Sequence, residues 1–350
     1  IADPVVIRVR GTVHEAPILN EVFVPNLRQL DTVQIAINFN ELKRDLNADI
    51  NLPYINYNGY TIDSLAFTVN SDAEHLNFDF GLKELIAGPV DLQNTRLEGA
   101  LQNSKLALDF SSMHKNERLM HIASEIELQD DVVTLHILPE ELILNKNSWD
   151  VNPNNRIAFR ENNTVFTDFV LSYNNQRVEA GNNLPRVSKE HLGVQFDNFK
   201  LSTITSFLNP DESLAKGKLS GTFAVEEPTT SPGMVTDLKI VDFEVMGTDM
   251  GVLTANGKSI SSTAYDFDMS VKEGVADLDL TGTYRTNTTA AEIDLDLDIN
   301  SLQMKALENF SVGEISNASG TVNGKLSLTG TTAEPNYEGT LNFDQAKFEV

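Results

Sequence analysis

Three aspartates spaced two apart, Asp294, Asp296 and Asp298, have the side-chain chemistry and spacing of the first ligands of a calcium-binding EF-hand loop. The loop also needs a glycine at its sixth position and a bidentate glutamate at its twelfth. Here those positions hold Ile299 and Lys305. The alternation reads instead as the solvated face of a strand. The six histidines, His14, His75, His114, His121, His136 and His191, are scattered along the chain, and His136 falls between Leu135 and Ile137, on the polar side of a strand. The acidic pairs Asp130-Asp131 and Glu140-Glu141 are adjacent, so on a strand their carboxylates would point apart. The chain contains no cysteine, which removes thiol nucleophiles, disulfides and Cys-type zinc sites together. No Gly-x-Ser-x-Gly, phosphate loop, His-Glu-x-x-His or dinucleotide fingerprint occurs. These residues predict no enzyme, no cofactor and no metal. Asn-x-Ser/Thr triplets start at Asn162, Asn287, Asn309 and Asn317, and they matter only in a eukaryotic secreted protein.

The elements that carry these residues are strands. Across 350 residues, Lys and Arg number 26 against 51 Asp and Glu, a formal charge of −25, and 41% of residues are hydrophobic. That is apolar enough for a buried interior. The acid excess argues against a nucleic-acid partner, which needs a basic face, and against electrostatic docking on anionic headgroups. It does not argue against contact with acyl chains. No run of roughly 18 apolar residues is present.

Period-two alternation dominates. It places Val33, Ile35, Ile37 and Phe39 on one face of a strand, and Leu106, Leu108 and Phe110 on one face of another. Phe267, Met269 and Val271 repeat the pattern, as do Leu278 and Leu280, and Ile293, Leu295, Leu297 and Ile299. Turn signals fall between the runs at Asn58-Gly59, Asn256-Gly257 and Glu273-Gly274. Strands are expected about every 10 to 12 residues. Two short helices are expected, over 201–208 and 302–310.

A longer repeat is visible. Gly217-Lys218-Leu219-Ser220 returns as Gly324-Lys325-Leu326-Ser327, Glu227-Pro228 as Glu334-Pro335, and Phe243-Glu244-Val245 as Phe348-Glu349-Val350. This suggests a hairpin unit at 217–245 and again at 324–350. An Asn-rich stretch, Asn145 to Asn155, holds the only tryptophan, Trp149, and reads as a junction or a polar hairpin loop. We therefore divide the chain into segments 1–145 and 146–350. The chain starts at Ile1 without a methionine and stops in what reads as a strand, so it is expected to continue beyond both ends.

An antiparallel sheet with one apolar face needs a cover. The residues alone leave two all-β solutions open and favour the first, a set of tandem β-sandwiches. The second is a long antiparallel sheet curled into an elongated, U-shaped, taco-like groove whose apolar interior is filled by something other than protein.

The order of Trp149-Asp150-Val151-Asn152-Pro153-Asn154-Asn155, Phe166-Thr167-Asp168-Phe169-Val170-Leu171-Ser172, Gln176-Arg177-Val178, the segment Leu201 to Leu208 and the hairpin Gly217-Lys218-Leu219-Ser220-Gly221-Thr222 resembles the translocation and assembly module (TamB) family of AsmA-like proteins, in the form found in Bacteroidota. The likeness is best from about residue 120 onward. It implies the groove architecture, and a periplasmic location as part of an inner-membrane-anchored protein that carries phospholipid to the outer membrane with acyl chains in the groove. It also implies an outer-membrane barrel partner of the BamA superfamily. The rival implication is an assembly factor for outer-membrane proteins that works through strand edges. Under the groove reading, the apolar alternates named above line the lipid path.

Overall fold

The computed structural model describes residues 4–161, 163–185, 187–286, 290–311 and 314–349. Asn162, Asn287 and Val350, named above, lie outside them. The chain is 70% strand and 6% helix, in two large antiparallel sheets that are not closed into barrels. It divides into two compact units, Ile1–Glu161 with Ser206–Asp211, and Asn162–Thr205 with Glu212–Val350.

The first unit begins with β1 (Val6–Val13), a π-helical turn (Leu19–Phe23), β2 (Leu27–Leu30) and β3 (Val33–Asn40). Long hairpin strands follow: β4 (Asp45–Tyr57), β5 (Tyr60–Ser71), β6 (His75–Ala87), β7 (Val90–Gln102), β8 (Lys105–His114), β9 (Glu117–Gln129) and β10 (Val132–Ile137). It ends with the short β11 (Ile143–Leu144), β12 (Asn147–Ser148), β13 (Asp150–Val151) and β14 (Arg156–Arg160). Its sheet runs in the order β1-β3-β4-β5-β6-β7-β8-β9-β10-β14. Strands β4 to β8 start at intervals of 15 residues, longer than the expected 10 to 12, because strands of up to 13 residues alternate with turns of only two or three.

Many of those turns place both central residues at positive φ, the geometry that matches strand twist in two-residue hairpins. Asn58-Gly59 does so as expected, but so do Asn103-Ser104, Lys115-Asn116 and Asp130-Asp131, which carry no glycine. The acidic pair Asp130-Asp131 thus sits in a turn and not on a strand. Asn256-Gly257, read from sequence as a turn, lies inside a strand. Asn256 pairs with Asp268 on the polar side, and Gly257 stands opposite Phe267 on the apolar side.

In the second unit β15 (Asn163–Thr167), β16 (Val170–Tyr173), β17 (Gln176–Gly181) and β18 (His191–Lys200) lead to helix α1 (Ser202–Leu208). Then come β19 (Ala215–Glu226), β20 (Gly233–Val245), β21 (Thr248–Ser261), β22 (Ala264–Glu273), β23 (Ala276–Arg285) and β24 (Glu292–Gln303). Helix α2 (Lys305–Phe310) precedes β25 (Ser316–Thr331) and β26 (Pro335–Glu349). From β16 to β26 the strands pair in sequence order. A strand, a short helix and two long strands therefore occur twice, as β18-α1-β19-β20 and β24-α2-β25-β26. Register shifts recur near one rim of this sheet, at Lys216/Lys218, Ile240/Phe243, Asp277/Leu278 and Ile299/Leu302. Such bulges bend the strands.

Several of the largest fully buried side chains lie in the Asn-rich stretch or against it. Leu119 and Trp149 are 2% exposed, Leu142 1%, and Asn155 not at all. Asn155 is buried without penalty because its amide donates to the carbonyls of Ile137 and Asn152 and accepts from the N–H of Ile137.

Candidate functional site

Cross-strand register converts the alternation into continuous rows. In the first sheet one row runs Val9, Ile37, Ala48, Val69, Phe78, Gly99 and Leu108. A second runs Ile35, Ile50, Phe67, Phe80, Leu97, Phe110 and Ile122. In the second sheet one row runs Leu171, Val178, Phe196, Gly221, Leu238, Ala255, Met269, Leu280, Leu297 and Leu326. Another runs Leu219, Ile240, Leu253, Val271, Leu278, Ile299, Gly324 and Leu341. Each sheet thus carries an apolar band crossing its strands almost from edge to edge.

The structure places the expected lining residues on these bands. Val33, Ile35, Ile37 and Phe39 on β3 share a face with Leu106, Leu108 and Phe110 on β8 through the pairings above. Phe267, Met269 and Val271 on β22, Leu278 and Leu280 on β23, and Ile293, Leu295, Leu297 and Ile299 on β24 share the other band. All are partly buried except Ile299, which is 8% exposed and counts as core. A sandwich interior would bury the rest as completely.

Glycines within the strands were not read as site residues, yet they shape the band. Gly221 and Gly324 have φ of +127° and +155°, and a Cβ on either would sit 2.0 Å from a neighbouring backbone carbonyl oxygen, of Asp237 and Thr340 respectively. Only glycine permits that approach. In the first sheet, the ring of Phe78 lies over Gly99. Helix α2 lies against one end of the second band: Met304, Ala318 and Val322 form a buried cluster with Leu302, Leu307 and Ile315 around it. The Asn309 amide donates to Thr248 Oγ1 at 2.8 Å, and Glu308 accepts from the N–H of Ala318 at 2.5 Å.

The opposite faces are polar and stitched by charge. Lys325 pairs with Asp298 at 2.7 Å, and Asp296 accepts from Ser327 at 2.6 Å, so two of the three aspartates bond across strands. Lys272 contacts Asp277 and Asp279, both at 2.6 Å. Its hydrogen bonds, with those of Asn300, hold both carboxyls below the usual carboxylate range. His136 Nδ1 donates to the Asn155 carbonyl on the polar side, as its position implied. Three histidines are buried, which nothing in the sequence signalled. His121 bridges Asp109 and the Glu141 carbonyl. His114 meets Gln93. The ring of His191 accepts from the Leu184 N–H and donates to the Lys189 carbonyl. Each of these contacts ties one strand or loop to another. Among the described residues no three His, Asp or Glu side chains converge to hold a metal, and no helix is long and apolar enough to cross a membrane. The triplet asparagines Asn309 and Asn317 have their amides engaged, Asn317 with Glu349.

No family model, curated protein or solved structure matches the chain.

Proposed function

We propose that the apolar bands carry the acyl chains of phospholipid, as the periplasmic part of an inner-membrane-anchored protein of the TamB type that moves lipid toward the outer membrane with a BamA-superfamily barrel. The observation that carries this reading is the continuity of in-register apolar rows on faces left partly exposed. A row perpendicular to the strands is a path with no polar step along it. Each methylene fully transferred from water onto such a path is worth about 0.8 kcal/mol. The polar faces keep so large a sheet dissolved.

A photo-crosslinker at Leu295 or Leu297 should capture lipid, and one at Asp296 should not. Leu295→Lys should stop lipid passage in a protein that still folds, because an ammonium among acyl chains costs several kcal/mol. Crosslinks from Leu295 only to the protein's own residues would make the band a core and end the proposal.

A further inference from the structure

The face opposite the apolar band of the first sheet carries two parallel rows of unlike chemistry. One is an amide row: Asn38, Asn47, Asn70 and Asn77 stand directly opposite one another on β3, β4, β5 and β6. Beside it, two residues along each strand, runs an oxygen row of Asp49, Thr68, Asp79 and Glu98. Two open hollows of about 740 and 420 Å³ lie between the rows and meet at Thr68 and Asn70. Ile37, Ala48, Phe78 and Gly99 lie between the rows, the first three with side chains on the other face by strand alternation, and Ala36, Ala100, Ala107 and Ala123 line the hollows on the polar face itself. Arg8 and Arg10 on β1 close one end.

This arrangement is costly to the sheet. Asparagine is disfavoured in strands, yet four align in register on four successive strands. They form no mutual ladder: none of the four side chains makes a hydrogen bond among the described residues, and neither does Asp49. Asp79 and Glu98 are like charges directly opposite, itself unfavourable, and Arg96 bridges them from the same face. A face needed only for solubility would be served as well by threonine and lysine.

We infer that this track binds a linear, hydroxyl-rich oligosaccharide lying across the strands. Amides on one wall both donate and accept, and carboxylates and a threonine on the other accept from hydroxyls. A sugar chain presents hydroxyls along both edges, and its residue length is close to the strand spacing of about 4.8 Å, so one sugar falls on each strand. The walls stand roughly 7 Å apart, two residues along a strand, which suits one chain and not a sheet of them. The apolar side chains on this face beside the rows are the small Ala36, Ala100, Ala107 and Ala123, with no aromatic ring among the rows to stack a nucleobase. This site lies on the opposite face from the proposed lipid path, and the two proposals stand or fall separately.

The test is calorimetric titration of the whole chain with chitohexaose, with N-acetylglucosamine as the monomer control. The hexamer should bind, and the monomer should bind far more weakly. Replacing Asn47 and Asn70 together by leucine keeps strand propensity and removes two hydrogen-bonding groups, so binding should weaken roughly tenfold or more. Thr68→Val, a near-isosteric change, should weaken it in the same direction. Asp296→Asn, on the second sheet, should leave it unchanged. No binding of the hexamer to the natural chain, or equal binding by well-folded variants, would overturn the inference.

Discussion

Arg96 shows how single side chains hold the polar face together. Its guanidinium contacts Asp79 and reaches Glu98 at 3.0 Å, and its hydrogen bond holds the Asp79 carboxyl below the usual carboxylate range. A depressed carboxyl stabilises the fold above its unfolded value, about pH 4, and that contribution disappears as pH falls through the folded value. Both partners are largely solvated, at 52% and 35% exposure, so the pair is worth no more than about 1 kcal/mol. Arg96→Gln should lower the urea midpoint at pH 7, and the two proteins should converge as pH falls through the depressed folded value of Asp79. Gly324 shows the reverse constraint, on the apolar side. Valine there would bring a Cβ to within 2.0 Å of the Thr340 carbonyl oxygen, at a φ few side chains adopt. Gly324→Val should destabilise the β25–β26 hairpin by several kcal/mol, seen as rapid amide exchange over 316–349, whereas Gly11→Val, where nothing lies within 4 Å, should be tolerated.

At the scale of elements, α2 is short and has no side-chain N-cap, so its stability comes from packing. Met304, 3% exposed, anchors it on Ala318 and Val322. Met304→Ala should cost about 2–5 kcal/mol locally. Hydrogen exchange should accelerate at 299–310 and 316–322 and stay unchanged in β20 to β22. Both helices were legible in the sequence, one from the segment before Pro210 and one from the spacing of Ala306, Leu307 and Phe310, although Leu302, counted with them, lies in β24 and the helix begins only at Lys305. So were the strands, because period two is unambiguous in runs such as Ile293 to Asn300. What escaped was anything set between strands. Lys115-Asn116 turns tightly without a glycine because its neighbours pair on both sides, and Asn256-Gly257 stays extended because β20 and β22 flank it. The amide row of Asn38, Asn47, Asn70 and Asn77 exists only in register, so no window of sequence contains it. The buried His114 and His121 are likewise placed by partners 12 to 21 residues away, whereas His191 is held by Leu184 and Lys189 close by in sequence.

At the scale of the whole molecule, strand contacts are dominated by hydrogen-bonded neighbours, and each sheet is close to a one-dimensional array. In such an array stability is a sum of nearest-neighbour terms, and no single core enforces all-or-none melting. The chain also divides into two units. Unfolding should therefore depart from two-state behaviour. Scanning calorimetry should give a calorimetric enthalpy larger than the van't Hoff enthalpy, with at least two transitions. Leu119, Leu142 and Trp149, among the most buried large side chains, mark the region whose amides should exchange last. A ligand that fills the apolar bands binds the folded sheets and not the unfolded chain, so it should raise the transition temperatures with the logarithm of its free concentration once that exceeds the dissociation constant. Titrating lysophospholipid below its micelle concentration measures that shift. Leu295→Lys should abolish the shift in the second unit's transition and preserve it in the first, because the bands of the two sheets are lined by separate residues. A single sharp transition with equal enthalpies, insensitive to lipid, would mean instead that the apolar faces are already satisfied by protein.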